Sequence, residues 1–168
     1  MTSSAPKKSP KSSPKPSTVT FVIEDPAWRK AGLRTHLRRA AALALTHEKA
    51  NGTVTILLTN DESLKRLNRE FRGQDKPTNV LSFPAAQNPE HHLGDIAIAA
   101  GVTAREARAA GKTFADHAAH LAVHGILHLL GYDHETEDEA KPMESLEIAI
   151  LARLGIADPY AARAAKVA

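Results

Sequence analysis

An α+β fold of four strands and about five helices is what the sequence predicts, on three observations. Short runs that alternate apolar and polar residues, or are rich in Val, Ile and Thr, recur four times. Around them lie five stretches with helical patterning or helix start and stop signals. No segment repeats another, and 168 residues suit one domain with a real core.

Taken in order, Thr18–Glu24 (TVTFVIE) alternates and predicts the first strand. Asp25-Pro26 then opens a helix, with aspartate as cap and proline at its first position. That helix is expected to run to about Lys49, with Leu33, Leu37, Ala40 and Ala44 as its apolar stripe. Asn51-Gly52 is a turn, and Val54–Leu58 (VTILL) reads as a central strand. Asn60 or Asp61 caps a helix through Phe71, with Leu64, Leu67 and Phe71 inward. Asn79–Phe83 and Leu93–Ala99 are two further strands, separated by a polar stretch with Asn88-Pro89 and His91-His92. Thr103–Gly111 predicts a short helix and Ala115–Leu130 a longer one. Thr136–Gly155 closes the fold as a helix interrupted or restarted at Pro142.

Composition narrows the chemistry. With no cysteine, neither disulfides nor thiolate ligands are available, so any zinc site must use histidine and carboxylate. No apolar run is long enough to span a membrane, and the N-terminus lacks an apolar signal core; a cytoplasmic protein is the expectation. The net charge of +3 belongs to the N-terminus, because residues 1–17 hold four lysines and no acid and removing them leaves −1. Residues 1–17 are therefore expected to be a disordered Ser/Pro/Lys-rich tail, 18–160 a single domain, and 161–168 a C-terminal tail. Arg29, Lys30, Arg34, Arg38 and Arg39 stud the first helix; a solvated face explains them as well as a nucleic-acid track does.

The most informative run is HGILHLLGYDH, residues 124–134. On a helix, His124 and His128 differ by about 40° and lie ~6 Å apart along the axis, so both can reach one ion. On a continuous helix His134 would sit ~9 Å further on, turned roughly 120° away. Gly131 can stop the helix in a left-handed cap and return His134 toward the other two. Three neutral imidazoles with an open position describe a catalytic zinc rather than a closed structural one. The peptidase pattern HExxHxxGxxH places a glutamate after its first histidine as general base, whereas Gly125 stands here. Glycine inside a helix costs about 1 kcal/mol against alanine. It is expected either to leave room for a substrate beside the metal, the preferred reading, or to let a strand pack closely on the helix.

The zinc-bearing helix should place Val123, Ile126, Leu127 and Leu130 on the sheet, and His117, His120, His124 and His128 along a cleft. His117 and His120 are expected chiefly as hydrogen-bonded non-ligands; His120 is also a candidate contact for a ligand or substrate. A second notable stretch, LNREFRGQDKPTNVLSFP (Leu67–Pro84), crowds Arg72, Asp75, Lys76, Thr78 and Asn79 into one loop. Arginine's planar fork suits phosphate oxygens, although an ion pair of Arg72 with Asp75 or Glu70 is an equal expectation. Asp75 and Asn79 are candidate supporting or substrate contacts. Asp133 either orients a ligand or is a plain turn residue, and Asp95 either borders the cleft or starts a strand. Met143 resembles the methionine turn beneath the zinc of related proteases, but Met143, Leu146 and Ile150 form a helical core stripe, which is preferred.

HGILHLLGYDH, LNREFRGQDKPTNVLSFP and LGDIAIA together resemble the YbeY family of bacterial endoribonucleases and ribosomal RNA maturation factors, over about residues 20–155. The resemblance implies a small mixed four-stranded sheet covered by helices, with a zincin-like core. It implies one zinc ion on His124, His128 and His134, and Arg72 as the catalytic arginine, here preceded by Phe71 where tyrosine is common. It implies cleavage of single-stranded RNA in maturation of the 3′ end of small-subunit (16S) ribosomal RNA and in ribosome quality control. The partners implied are ribosomal RNA, a small-subunit ribosomal protein and an assembly GTPase. On that reading zinc activates water near pH ~7 and Arg72 offsets charge developing on the phosphate. The proton acceptor is left open between Asp133, Glu135 and the substrate's own 2′-hydroxyl. A zinc peptidase and a ribosome-associated binding protein with a structural zinc are the competing functional classes.

Overall fold

The structure, a computed structural model, describes residues 5–6 and 15–161. The two expected tails, 1–17 and 161–168, lie mostly outside the described residues. The elements are β1 (Thr18–Ile23), α1 (Leu33–His47), β2 (Thr53–Thr59), α2 (Asp61–Arg72), β3 (Val80–Pro84), β4 (His92–Ala99), α3 (Ala100–Ala109), α4 (Phe114–Leu129) and α5 (Glu137–Ala152). The fold is α+β with one mixed sheet in the order β1-β2-β4-β3. β1 and β4 run parallel to β2, and β3 pairs antiparallel with β4.

Strand alternation divides the apolar residues between two faces. Ile56 lies opposite Ile96, and Leu58 opposite Ile98. With Val19 and Val54 they face α1, α4 and α5, forming the main core with Leu37, Val123, Leu127 and Ile150. The next residue along each strand points the other way, where Leu81, Ala97 and Ala99 meet Leu64 of α2 in a smaller cluster. Each fully buried Leu, Ile or Val contributes about 1.5–3 kcal/mol, so the larger cluster holds α1 and α4 on one face of the sheet and the smaller one holds α2 on the other.

The helices differ from expectation in several places: α3 begins at Ala100 rather than Thr103, Phe71 of α2 is exposed rather than inward, and two further differences have a clear cause. Pro26–Trp28 make only a single 3-10 turn, capped by Asp25 Oδ1 accepting from Ala27 N–H at 2.8 Å. The chain then passes through Gly32 at φ +75°, and α1 begins at Leu33. Trp28 supplies the reason: it is buried, donates Nε1–H to the Thr59 carbonyl at 2.8 Å, and packs on Phe114 at 5.0 Å between ring centroids. That anchor belongs to the sheet end and α4, so the chain must change direction before the α1 stripe can form. Conversely, α5 runs unbroken through Pro142. The proline forfeits only the bond to the Asp138 carbonyl, in an exposed stretch near the helix start where water can serve. Met143 is buried in the main core, as its stripe with Ile150 requires.

Gly125 overturns the preferred reading of its role. It lies on the sheet side of α4, where a Cβ would stand 2.9 Å from both Cδ1 and Cγ2 of Ile96. Ser82 Oγ also donates to the Gly125 carbonyl at 3.2 Å. The glycine therefore lets β4 and β3 pack closely on α4 and opens no space beside the histidines. Alanine there gains about 1 kcal/mol of helix propensity but overpacks a β-branched neighbour whose Cγ2 has little freedom, at about 1–3 kcal/mol. Gly125→Ala is expected to lower the thermal midpoint, and adding Ile96→Val, which removes one of the two opposing methyls, to recover part of the loss. An unchanged midpoint in the single variant would contradict the packing explanation.

Candidate metal centre

His124 and His128 sit one turn apart near the end of α4, and their Nε2 atoms approach to 3.1 Å. The helix then closes tightly. Gly131, at φ +99°, donates its N–H to the His128 carbonyl at 3.0 Å, and Tyr132 donates to Leu127 at 3.1 Å. This paired closure about a left-handed glycine reverses the chain. His134 thereby comes within 5.2 Å of the His124 ring and 4.9 Å of the His128 ring, between centroids. One ligand nitrogen from each of the three lies within 4.8 Å of the others, so the group can hold a metal ion.

The hydrogen bonds behind the rings fit that role. His128 donates Nδ1–H to the Tyr132 carbonyl at 2.8 Å, and His124 donates Nδ1–H to Glu147 Oε1 at 2.5 Å. A neutral imidazole that donates through Nδ1 keeps a lone pair on Nε2. In that tautomer the two facing Nε2 atoms both present lone pairs, an arrangement that a cation between them would satisfy. Nitrogens bound at 2.0–2.1 Å to one tetrahedral zinc stand about 3.3 Å apart, close to the spacing present. Burial, followed by the repulsion of any charge on His124 and His134, pushes the His128 pKa down. His128 is therefore neutral near pH 7, the form that ligates.

Glu147, on α5, is fully buried and was not singled out from the sequence. It also accepts from His120 Nε2–H at 3.3 Å and from the Tyr160 hydroxyl. Burial alone would raise its pKa, but the bonds from His120 and His124 outweigh that and lower it to about 2. The available signal was a carboxylate inside the apolar stripe formed by Met143, Ile150 and Leu151.

The three histidines open on a cleft of about 660 Å³ that Arg72 also lines. Arg72 donates Nη2–H to the Ser82 carbonyl at 3.0 Å. The ion pair of Arg72 with Asp75 or Glu70 does not form; Asp75 pairs with Arg69 instead, at 3.9 Å, and does not line the cleft. Asn79 lines it, but its amide nitrogen is committed to Glu106 at 3.1 and 3.2 Å. Asp133 Oδ1 accepts the backbone N–H of His134 at 2.7 Å, holding the chain that carries that ring. Glu135 lines the cleft as well. His117 donates to Glu106 at 2.7 Å, and burial pushes its pKa down. Asp95 pairs with His92 at 2.9 Å and lines a different, apolar depression beside Phe71 and Phe83. Chemically, the cleft combines three Lewis-basic nitrogens with a guanidinium, which suits an anionic substrate held at a cation.

A family profile described as Endoribonuclease YbeY matches residues 22–155. A protein of that name from Rhodopseudomonas palustris is 53% identical over 151 residues, covering 83% of this chain and 79% of its own. One from Maricaulis maris is 48% identical over 145 residues, covering 84% and 91%. Among solved structures, the solution structure of TM1509 from Thermotoga maritima superposes with a TM-score of 0.59 at 26% identity, covering 88% of this chain and 93% of that one.

Proposed function

The chain belongs to the YbeY endoribonuclease family, and from that premise we propose that it cleaves single-stranded RNA internally, with zinc held by His124, His128 and His134. The observation that carries this reading is the shared cleft: three imidazoles with converging nitrogens and a guanidinium on one concave surface. Bound there, zinc supplies Lewis acidity toward a phosphoryl oxygen and lowers the pKa of water toward ~7. The residues of the chain do the rest. Arg72, tethered by one nitrogen to Ser82, keeps further N–H groups for the charge that grows on the phosphate. Asp133 holds the backbone of His134, so the third ligand does not swing away on its exposed turn. The sheet side of α4 is buried in the core, so the substrate approaches from the cleft side.

The biological task proposed is maturation of the 3′ end of small-subunit ribosomal RNA and ribosome quality control, in the cytoplasm, with a small-subunit ribosomal protein and an assembly GTPase as partners. The support for this is the family resemblance. No helix among the described residues is long and apolar enough to cross a membrane. The peptidase reading lacks its base, because Gly125 stands where that pattern has its glutamate.

The deciding experiment offers purified, metal-quantified protein single-stranded RNA, duplex RNA and casein, with and without chelator. Chelator-sensitive cutting of the single strand alone is expected. Cutting that survives in a His128→Ala preparation would reveal a contaminating nuclease and sink the assignment. Hydrolysis of casein would revive the peptidase, and tight ribosome binding without cleavage would favour the binding protein.

A further inference from the structure

We propose that Glu147, braced by Tyr160, is a positioning residue for the metal: it fixes the ring orientation and tautomer of His124 so that Nε2 faces the other two ligands. A buried carboxylate is costly unless its oxygens are fully hydrogen-bonded. Glu147 shows no exposed surface and takes three donors, from His120, His124 and Tyr160. The bond to His124 Nδ1, at 2.5 Å, is the shorter of its two histidine contacts. In the neutral ring, an Nδ1–H committed to a carboxylate places the lone pair on Nε2 and holds that nitrogen toward a cation. His128 gains its orientation differently, from the Tyr132 carbonyl within the closing turn of α4. The two ligands on α4 are thus set by separate anchors, one local and one reaching across from α5. Tyr160 comes from the chain beyond α5 and donates to Glu147 Oε2. It restrains the carboxylate that restrains the ligand.

This inference rests on the metal centre proposed above but not on the substrate. Zinc affinity of the full-length protein is measured by competition with a chromophoric chelator, and cobalt loading reports ligand geometry through its visible spectrum. Glu147→Gln keeps the size of the side chain but removes the charge, and is expected to weaken zinc binding roughly 10–100-fold and to alter the cobalt spectrum. Tyr160→Phe, which keeps the ring, is expected to weaken zinc binding severalfold with little loss of fold. A core control, Ile150→Val, should lower the thermal midpoint and leave zinc affinity alone, which separates positioning from stability. Wild-type affinity in a folded Glu147→Gln overturns the proposal. If that variant does not fold, wild-type affinity in Tyr160→Phe overturns it. Failure of the broader reading looks different: a wild-type protein that takes up no zinc, or one that is loaded but cuts no RNA.

Discussion

Replacing Arg72 with alanine will lower kcat for RNA cleavage by roughly 10²–10³-fold, the usual cost of removing one donor aimed at developing charge, and will leave zinc content unchanged. The side chain is exposed and, among the described residues, hydrogen-bonds the Ser82 carbonyl. Loss of so exposed a contact should shift stability by no more than about 0.5 kcal/mol. Neither acid expected to neutralise it does so: Asp75 is engaged with Arg69. The guanidinium therefore keeps its charge for the cleft it shares with the histidines. Steady-state kinetics on a single-stranded RNA, alongside metal analysis of the same sample, provide the check. A fall confined to kcat marks an interaction made in the transition state, and a rise confined to KM marks uniform binding. Unchanged kcat, or a variant that loses its zinc, would contradict the role assigned to Arg72.

The second large effect separates the proposed ligands from one another. His124→Ala and His134→Ala are both expected to lower zinc affinity by more than the roughly 100-fold that loss of an outer-shell partner alone can cost, and to abolish chelator-sensitive cleavage. Their stabilities should diverge. His134 is exposed, and its loss removes ring contacts with His124 and His128 without touching the buried Glu147 carboxylate. His124 donates to the buried Glu147 carboxylate, so its removal leaves one donor fewer around a buried charge, at about 1.5–3 kcal/mol. Thermal unfolding of the zinc-free proteins should therefore place His124→Ala below His134→Ala by several degrees. Equal midpoints would mean that the Glu147 contact contributes nothing to the fold.

Much of this centre was legible because its logic is local. The i, i+4 spacing of His124 and His128 sets both rings on one helix face, and Gly131 supplies the only left-handed step the chain needs to bring His134 back. The four strands were legible for the same reason, since a period of two needs only near neighbours. What escaped depends on residues far apart in sequence. The break after Trp28 follows from an anchor on Thr59 and Phe114. Asn79 does line the cleft, but that Glu106 on α3 claims its amide nitrogen was not legible.

By itself, then, the sequence determined an α+β chain of four strands and five helices, a three-histidine cluster and an arginine-bearing loop beside it, because each is written in spacing along a short stretch. Only the tertiary structure decided which way Gly125 faces, that Arg72 shares the cleft of the histidines while Asp75 does not, and that a carboxylate from α5 stands behind His124. Those are matters of which element packs on which face, and a pair such as the half-buried His124 and the buried Glu147 acquires its chemistry only when packing removes water from between its members.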